Sequence, residues 1–289
     1  MRAAAGSVQP GAKNHTMKIA IQGEPGSFSH EAALKLVAGA EIVPCALSAE
    51  VFRALDEGAV DAAAIPIENS LAGSVLEHFD LLLKHDVKVV EETLVRIRHN
   101  LIATPGVSIG EIERVLSHPV ALAQCRQFLA AHPKMKAMAF YDTAGGVKQL
   151  METRERNVAA IASEAAAATY GAEILQRDIE DSPENYTRFF LVRRAAKAET
   201  DAEANKMSIA FTLENRPGSL VAALTALSAV GTNLTKIESR PVHGKPWEYI
   251  FYVDCQIGSS TEGTRALEAL DAHCGMLKEL GRYREARGA

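Results

Sequence analysis

Lys18-Ile19-Ala20-Ile21-Gln22-Gly23-Glu24-Pro25-Gly26-Ser27-Phe28-Ser29-His30 decides the fold. A short apolar run stops at a Gly/Pro turn, and serines then stand where a helix would begin, so the segment reads as strand, turn and helix start. The pattern repeats downstream. Helix is expected at Glu31–Ala38, strand at Glu41–Cys45, helix at Ala49–Glu57, strand at Ala62–Pro66 and an amphipathic helix at Val75–Lys84. Strands alternating with helices predict the α/β class. Val87–Ala103, rich in Val, Ile and Leu with interspersed charge, reads as extended strands crossing into a second lobe. That lobe is expected to hold strand Arg114–Leu116, helix Val120–Ala131, strand Ala137–Tyr141, helix Gly145–Glu152 and strand Ala159–Ile161. Phe189–Val192 then returns to the first lobe as a late strand. Two α/β lobes joined by crossing segments leave a cleft, where ligands usually bind.

At 289 residues the chain exceeds one average domain. Ala195–Asn205, short of large apolar residues, reads as a linker to a smaller unit. There, strand Met207–Leu213, helix Gly218–Val230, strands Asn233–Val242 and Trp247–Gln256, helix Glu262–His273 and strand Leu277–Arg284 predict a ferredoxin-like βαββαβ domain with a four-stranded antiparallel sheet. The expected division is a tail at 1–16, a two-lobed domain at 17–194, the linker at 195–205 and the small domain at 206–286. Lobe one spans about 17–95 and 180–194, and lobe two about 96–179. The tail has no apolar core of a signal peptide, and Met17 is a candidate start.

A formal charge of −5 and a pI near 6.0 leave no basic stripe to neutralise nucleic-acid phosphates or anionic lipid. No apolar run reaches membrane-spanning length. The four cysteines are scattered with no CxxC pair, which argues against a disulfide framework or zinc knuckle and fits a cytoplasmic protein. No nicotinamide, flavin, pyridoxal or metal motif is found, so no cofactor is expected.

Polar groups gather where strands meet helices. Ser27 follows the first glycine turn; Glu68, Asn69 and Ser70 end the third expected strand; Ser117, His118 and Gln124 flank a Pro-initiated helix; Asp142 and Thr143 precede a Gly pair. Each junction taken singly is also explained by helix capping. Together they would aim helix N-termini and hydroxyls into one cleft, a setting for a small anion with several oxygens. Asn185-Tyr186-Thr187-Arg188-Phe189 adds a hydroxyl and a guanidinium fork beside an apolar strand, suited to a carboxylate substrate whose hydroxyl must leave. Read blandly, the Asn caps a turn and the Arg points to water.

The motifs GEPGSFS, PIENS, SHPVALAQC, DTAGG and NYTRF, followed by RPGSL and ESRP, occur in this order, and over residues 17 to about 286 the chain resembles the prephenate dehydratases with a C-terminal ACT domain. The resemblance implies a two-lobed fold like that of periplasmic binding proteins and a cofactor-free lyase reaction, prephenate to phenylpyruvate, carbon dioxide and water, on the way to phenylalanine. It assigns catalysis to Thr187, Asn69, Gln124 and Glu68, and substrate binding to Arg188, Ser27, Ser70, Ser117, Thr143 and Phe189. It also implies phenylalanine binding by the ACT domain at Gly218, Ser219, Leu220, Glu238, Ser239, Arg240 and Pro241, in a homodimer or tetramer. Many members carry Gln directly after the SHP motif; this chain has Val120, leaving Gln124 as the amide for substrate contact. Arogenate dehydratase is the nearest alternative, and a non-catalytic small-molecule sensor a more distant one.

Overall fold

The computed structural model describes residues 16–242 and 248–286. The expected tail up to residue 15, and Trp247 at the start of an expected strand, lie outside the described residues. Lobe one opens with β1 (Lys18–Gln22), α1 (Phe28–Leu36), β2 (Glu41–Cys45), α2 (Ser48–Asp56), β3 (Ala62–Asn69), β4 (Gly73–Ser74), α3 (Leu76–Lys84) and β5 (Val87–Arg96). Lobe two follows with β6 (Asn100–Ala103), β7 (Arg114–Ser117), α4 (Pro119–Ala123), α5 (Arg126–Ala131), β8 (Lys136–Ala139), α6 (Thr143–Thr153), β9 (Val158–Ala162), α7 (Glu164–Tyr170) and β10 (Glu173–Gln176). The chain returns as β11 (Tyr186–Arg194) and enters the small domain: β12 (Lys206–Thr212), α8 (Ser219–Ala229), β13 (Asn233–Pro241), β14 (Tyr249–Gln256), α9 (Ser260–Asp271) and β15 (Met276–Tyr283).

Lobe one is a six-stranded mixed sheet in the order β2-β1-β3-β11-β5, with β4 paired to β3. The returning β11 inserts antiparallel between β3 and β5, so the last strand of the two-lobed unit sits at the centre of its first lobe. Lobe two has five strands in the order β10-β6-β9-β7-β8. The lobes touch where the Ser163 hydroxyl donates to the Gly26 carbonyl, 2.6 Å. At φ +85°, with Ala166 backbone 2.7 Å from where a Cβ would stand, Gly26 is a position only glycine fills.

The helix expected at Val120–Ala131 is two helices. The break falls at Gln124–Cys125, where the Gln124 carbonyl accepts the Asp181 amide at 2.7 Å while the Asp181 carboxylate accepts the Arg126 and Gln127 amides and so caps α5. A capping residue 55 positions downstream leaves no local mark in the sequence. Helix α7 and strand β10 are likewise additions to the elements expected; the Ala-rich Glu164–Tyr170 segment has little apolar periodicity, and β10 is four residues long.

The small domain has the expected βαββαβ order and an antiparallel sheet β13-β14-β12-β15. Alternation gives this sheet two buried faces. Met207, Ile209, Phe211, Val253 and Cys255 pack under its own helices, whereas Ala210, Ile250, Tyr252, Leu280 and Tyr283 join the core of lobe one with Phe52, Phe79, Val89 and Phe190. A side chain at Gly281 would strike the backbone of Val89, so β15 lies directly against β5.

Charges are buried in this seam. Arg188 pairs with Asp254 and lies 3.5 Å from Glu92; Lys206 meets Glu92 at 2.9 Å; and the Ser208 hydroxyl donates to Asp254 at 2.6 Å. Two cations and two carboxylates cancel in formal charge, which is what allows them to be dry. Removing one partner strands the others, so Asp254→Ala is expected to cost about 3–5 kcal/mol in denaturant unfolding.

His78 on α3 is fully buried, its Nδ1 donating to the Pro66 carbonyl and its Nε2 2.9 Å from Ser48 Oγ. Burial holds its pKa below the ordinary 6.5, so below that pH the unfolded chain takes up a proton that the folded one refuses. Stability should therefore be steady above pH 6.5 and fall as the pH drops beneath it, with a shallower fall in His78→Gln; equal slopes in thermal melts from pH 7 to 5 would contradict this.

Candidate active site

Between the lobes lies a cavity of about 430 Å³, a size that suits a small metabolite. Lobe one supplies Ser27, Phe28, Ser29, Pro66, Asn69, Ser74 and Val75; lobe two and the returning strand supply His99, His118, Gln124, Asp142, Thr143, Thr187 and Phe189. A second, more polar cavity of about 530 Å³ adjoins it, sharing Ser29, His118 and Asp142.

The strand pair β3–β11 sets which residues face the cavity. On β11, Thr187 and Phe189 face it, and Arg188 and Phe190 face the seam. On β3, Ala62 and Ala64 lie on the cavity side of the sheet and Ala63, Ile65 and Ile67 on the seam side. Strict alternation would then send Glu68 into the cleft and Asn69 away from it. The register against β11 slips instead, Arg188 opposite Glu68 but Phe189 opposite Pro66, so Ile67 is an extra, bulged residue. The bulge reverses the parity: Asn69 turns into the cleft beside Thr187, and Glu68 turns into the seam.

Asn69 is the hub. Its Oδ1 accepts the amides of Leu71 (3.0 Å) and Ala72 (2.8 Å); its Nδ2 reaches Asn185 Oδ1 (2.7 Å), the Tyr186 carbonyl (3.1 Å) and Thr187 Oγ1 (3.0 Å). Gln124 Nε2 lies 3.4 Å from Asn69 Oδ1, and Gln124 Oε1 lies 2.9 Å from His99 Nε2. Gln124 reaches the cleft because it stands at the break between α4 and α5. Thr187 is 8% exposed, and among the described residues no group accepts its hydroxyl proton. Ser27 caps α1, and Asp142 caps α6 through the Gly145 amide, with Thr143 as the first helical residue. Both helix starts thus border the cavity, with the His30 and Gly145 amides taken by their caps. Burial raises the pKa of Asp142, partly offset by the amides it caps.

Six of the expected cleft residues thus meet: Asn69, Gln124, Ser27, Thr143, Thr187 and Phe189. Four do not. Arg188 is in the ionic seam, on the opposite face of β11 from Thr187. Glu68 accepts from Lys236 Nζ at 2.8 Å and lies 3.8 Å from Arg188, so it is no proton partner for Thr187. Ser117 is wholly buried and donates to the Ile161 carbonyl, and Ser70 ties the chain to Glu184 and Tyr186. His99 is a cleft residue that the sequence does not single out: it follows a charged strand end, Arg96-Ile97-Arg98, with no turn or cap signal.

In the small domain Gly218, Ser219 and Leu220 open α8, where Ser219 and Leu220 line a cavity of about 140 Å³ with Tyr249 and Phe251. Glu238 and Arg240 face lobe one, accepting from the Ser74 hydroxyl at 2.8 Å and pairing with Asp80 at 3.0 Å, while Ser239 and Pro241 are exposed on the edge strand β13. A single chain does not bring the two motifs into one pocket.

Among the described residues no helix is long and apolar enough to cross a membrane, and no cluster of three metal-binding side chains occurs. The chain is similar to known proteins over most of its length. A chloroplastic arogenate dehydratase/prephenate dehydratase of Arabidopsis thaliana is 40% identical over 277 residues, covering 92% of this chain and 72% of that one. A prephenate dehydratase of Arthrobacter aurescens, solved in complex with L-Phe, superposes with a TM-score of 0.85 at 31% identity over 93% of this chain and 90% of that one. A solved chain described as a novel type of quorum quenching acylase superposes with a TM-score of 0.84 at 32% identity, covering 93% and 98%. An ACT domain model matches residues 207–271, and the model described as prephenate dehydratase matches residues 19–197, which carry the whole cleft: the chain belongs to the prephenate dehydratase family.

Proposed function

We propose that this protein converts prephenate to phenylpyruvate, and that the Asn69–Thr187 contact carries the chemistry. In prephenate, breaking the bond to the ring carboxylate sends an electron pair through the ring diene and expels the hydroxyl opposite. With one proton added to that oxygen, the products are carbon dioxide, water and an aromatic ring. The gain in aromaticity drives the reaction, so the protein need only hold the substrate and assist the leaving oxygen. Thr187 suits the second of these roles, because Asn69 donates to its oxygen and leaves the hydroxyl proton to hydrogen-bond the departing oxygen, while the proton that completes water comes from solvent. An amide contact, with no base beside it among the described residues, makes Thr187 a hydrogen-bond donor rather than an activated nucleophile.

The α1 N-terminus at Ser27, capped by a neutral hydroxyl, offers its positive end to carboxylate oxygens. No Arg or Lys is among the described residues lining the cavity, whose walls include Phe28, Val75, Val120 and Phe189. Such walls favour decarboxylation, because the departing carboxylate loses its charge, and a tight ion pair would hold it in place. Turning Arg188 into the seam is consistent with this.

Arogenate is the second reading, because Asp142 is the one carboxylate among those lining residues and offers a partner to the ammonium that distinguishes arogenate from prephenate. We further propose that phenylalanine binds the α8 N-terminus together with strand β13 of a second copy, in a dimer or tetramer, and suppresses turnover. The route to the cleft is short: Lys236 Nζ contacts both Glu68 and Ser74 at 2.8 Å, and Ser74 lines the cavity. Free cysteines at 45, 125, 255 and 274 support a reducing compartment, and the cytosol is the one we propose.

Purified protein incubated in parallel with prephenate and arogenate should form phenylpyruvate from the first; phenylalanine from arogenate alone would transfer the assignment. Thr187→Ala should lower kcat by about 100- to 1,000-fold, the usual effect of losing a transition-state donor, with KM changed far less. An unchanged rate would remove Thr187 from the chemistry. Calorimetry should detect phenylalanine binding, and Lys236→Met should weaken its effect on turnover while preserving the uninhibited rate.

A further inference from the structure

We propose that His99 is a positioning residue that sets the direction of the hydrogen-bond chain ending on Thr187, so that the Thr187 proton points at the leaving oxygen. This rests on the dehydratase reading above. The direction follows link by link from groups that have no choice. Backbone amides can only donate, so the side-chain atom of Asn69 that meets the Leu71 and Ala72 amides is oxygen. The Tyr186 carbonyl can only accept, so the opposite atom of Asn69 is nitrogen, and it donates to Thr187 Oγ1. Gln124 must then present its own nitrogen to Asn69 Oδ1, because two amide oxygens would repel. That leaves Gln124 Oε1 facing His99 Nε2 at 2.9 Å, and His99 Nε2 must carry the hydrogen.

His99 is built to hold that tautomer. It is 2% exposed, its ring stands edge-on to Phe28 with centroids 5.7 Å apart, and its backbone amide donates to the Glu180 carboxylate at 2.9 Å. Among the described residues its Nδ1 is buried with no hydrogen-bond partner, a lesser penalty for a bare acceptor than for a stranded N–H. Burial also lowers its pKa, so the ring is neutral near pH 7 and a single tautomer prevails. Without an N–H at this place Gln124 is free to flip, turn its oxygen toward Asn69 and loosen the hub that aims Thr187.

The first measurement is the ¹⁵N spectrum of histidine-labelled wild-type protein, in which His99 should be protonated on Nε2; protonation on Nδ1 would overturn the proposal without any variant. His99→Gln places an amide N–H near the former Nε2, and His99→Met has the same length without a donor. His99→Met should lose about 10- to 100-fold in kcat with KM within about threefold, the signature of misplacement rather than lost binding, and His99→Gln should restore most of the rate. On a Gln124→Met background, His99→Met should cost little more, because the link it supports is already cut. Equal losses in both His99 variants, with native melting, would reduce His99 to a packing residue. Wild-type protein inert to both prephenate and arogenate would overturn the dehydratase reading itself, and with it the role of His99 in that reaction; an active wild type with equal losses overturns only the His99 proposal.

Discussion

One extra residue in a strand governs the site. The bulge at Ile67 reverses the side-chain parity of β3 just before it ends, and this alone brings Asn69 to the same face as Thr187. Everything catalytic that we infer depends on that contact: the direction of the Thr187 proton, the engagement of Gln124 and, through it, His99. The same bulge delivers Glu68 to the opposite face, where Lys236 and Arg188 await it. A defect in pairing at a sheet centre is costly, and here it re-aims two polar side chains in opposite directions at once.

The sheet is therefore a partition with two polar faces. One looks into the cleft through hydroxyls, amides and helix N-termini. The other looks into the seam through charges of both signs, and the ACT sheet closes over it. Ser74 bridges the two, lining the cavity while its hydroxyl donates to Glu238 of β13. An effector that shifts β13 would act on cavity-lining residues through contacts already in place, which gives the proposed regulation a physical path of side-chain hydrogen bonds.

Most of the architecture is legible in the sequence because it rests on local periodicity. β1 and β2 match their expected ranges, β5 and β6 cross between lobes as expected, and so does the βαββαβ order of the ACT domain hold. What the sequence hides is set by distant partners or by parity. The α4–α5 break is made by Asp181, and His99 gains its role only when Gln124 arrives beside it from 25 residues away. The family resemblance, together with adjacency in the chain to Thr187 and Asn69, suggests a cleft position for Arg188 and Glu68. In an extended strand adjacency means opposite faces, so Thr187 and Arg188 cannot share one cavity, and no reading of Glu68 and Asn69 is safe until the bulge is known.

The two faces of β11 divide the work, Thr187 serving the cleft and Arg188 the seam, and this division is open to a direct test. Arg188→Met combined with Asp254→Leu removes an ion pair together with its partner and leaves Glu92 with Lys206. Steady-state kinetics on this double variant should give a KM for prephenate within about threefold of wild type, since neither side chain faces the cleft. A rise of about 100-fold in KM, in protein that melts as a folded chain, would mean that Arg188 binds the substrate carboxylate after all and would contradict the arrangement described here.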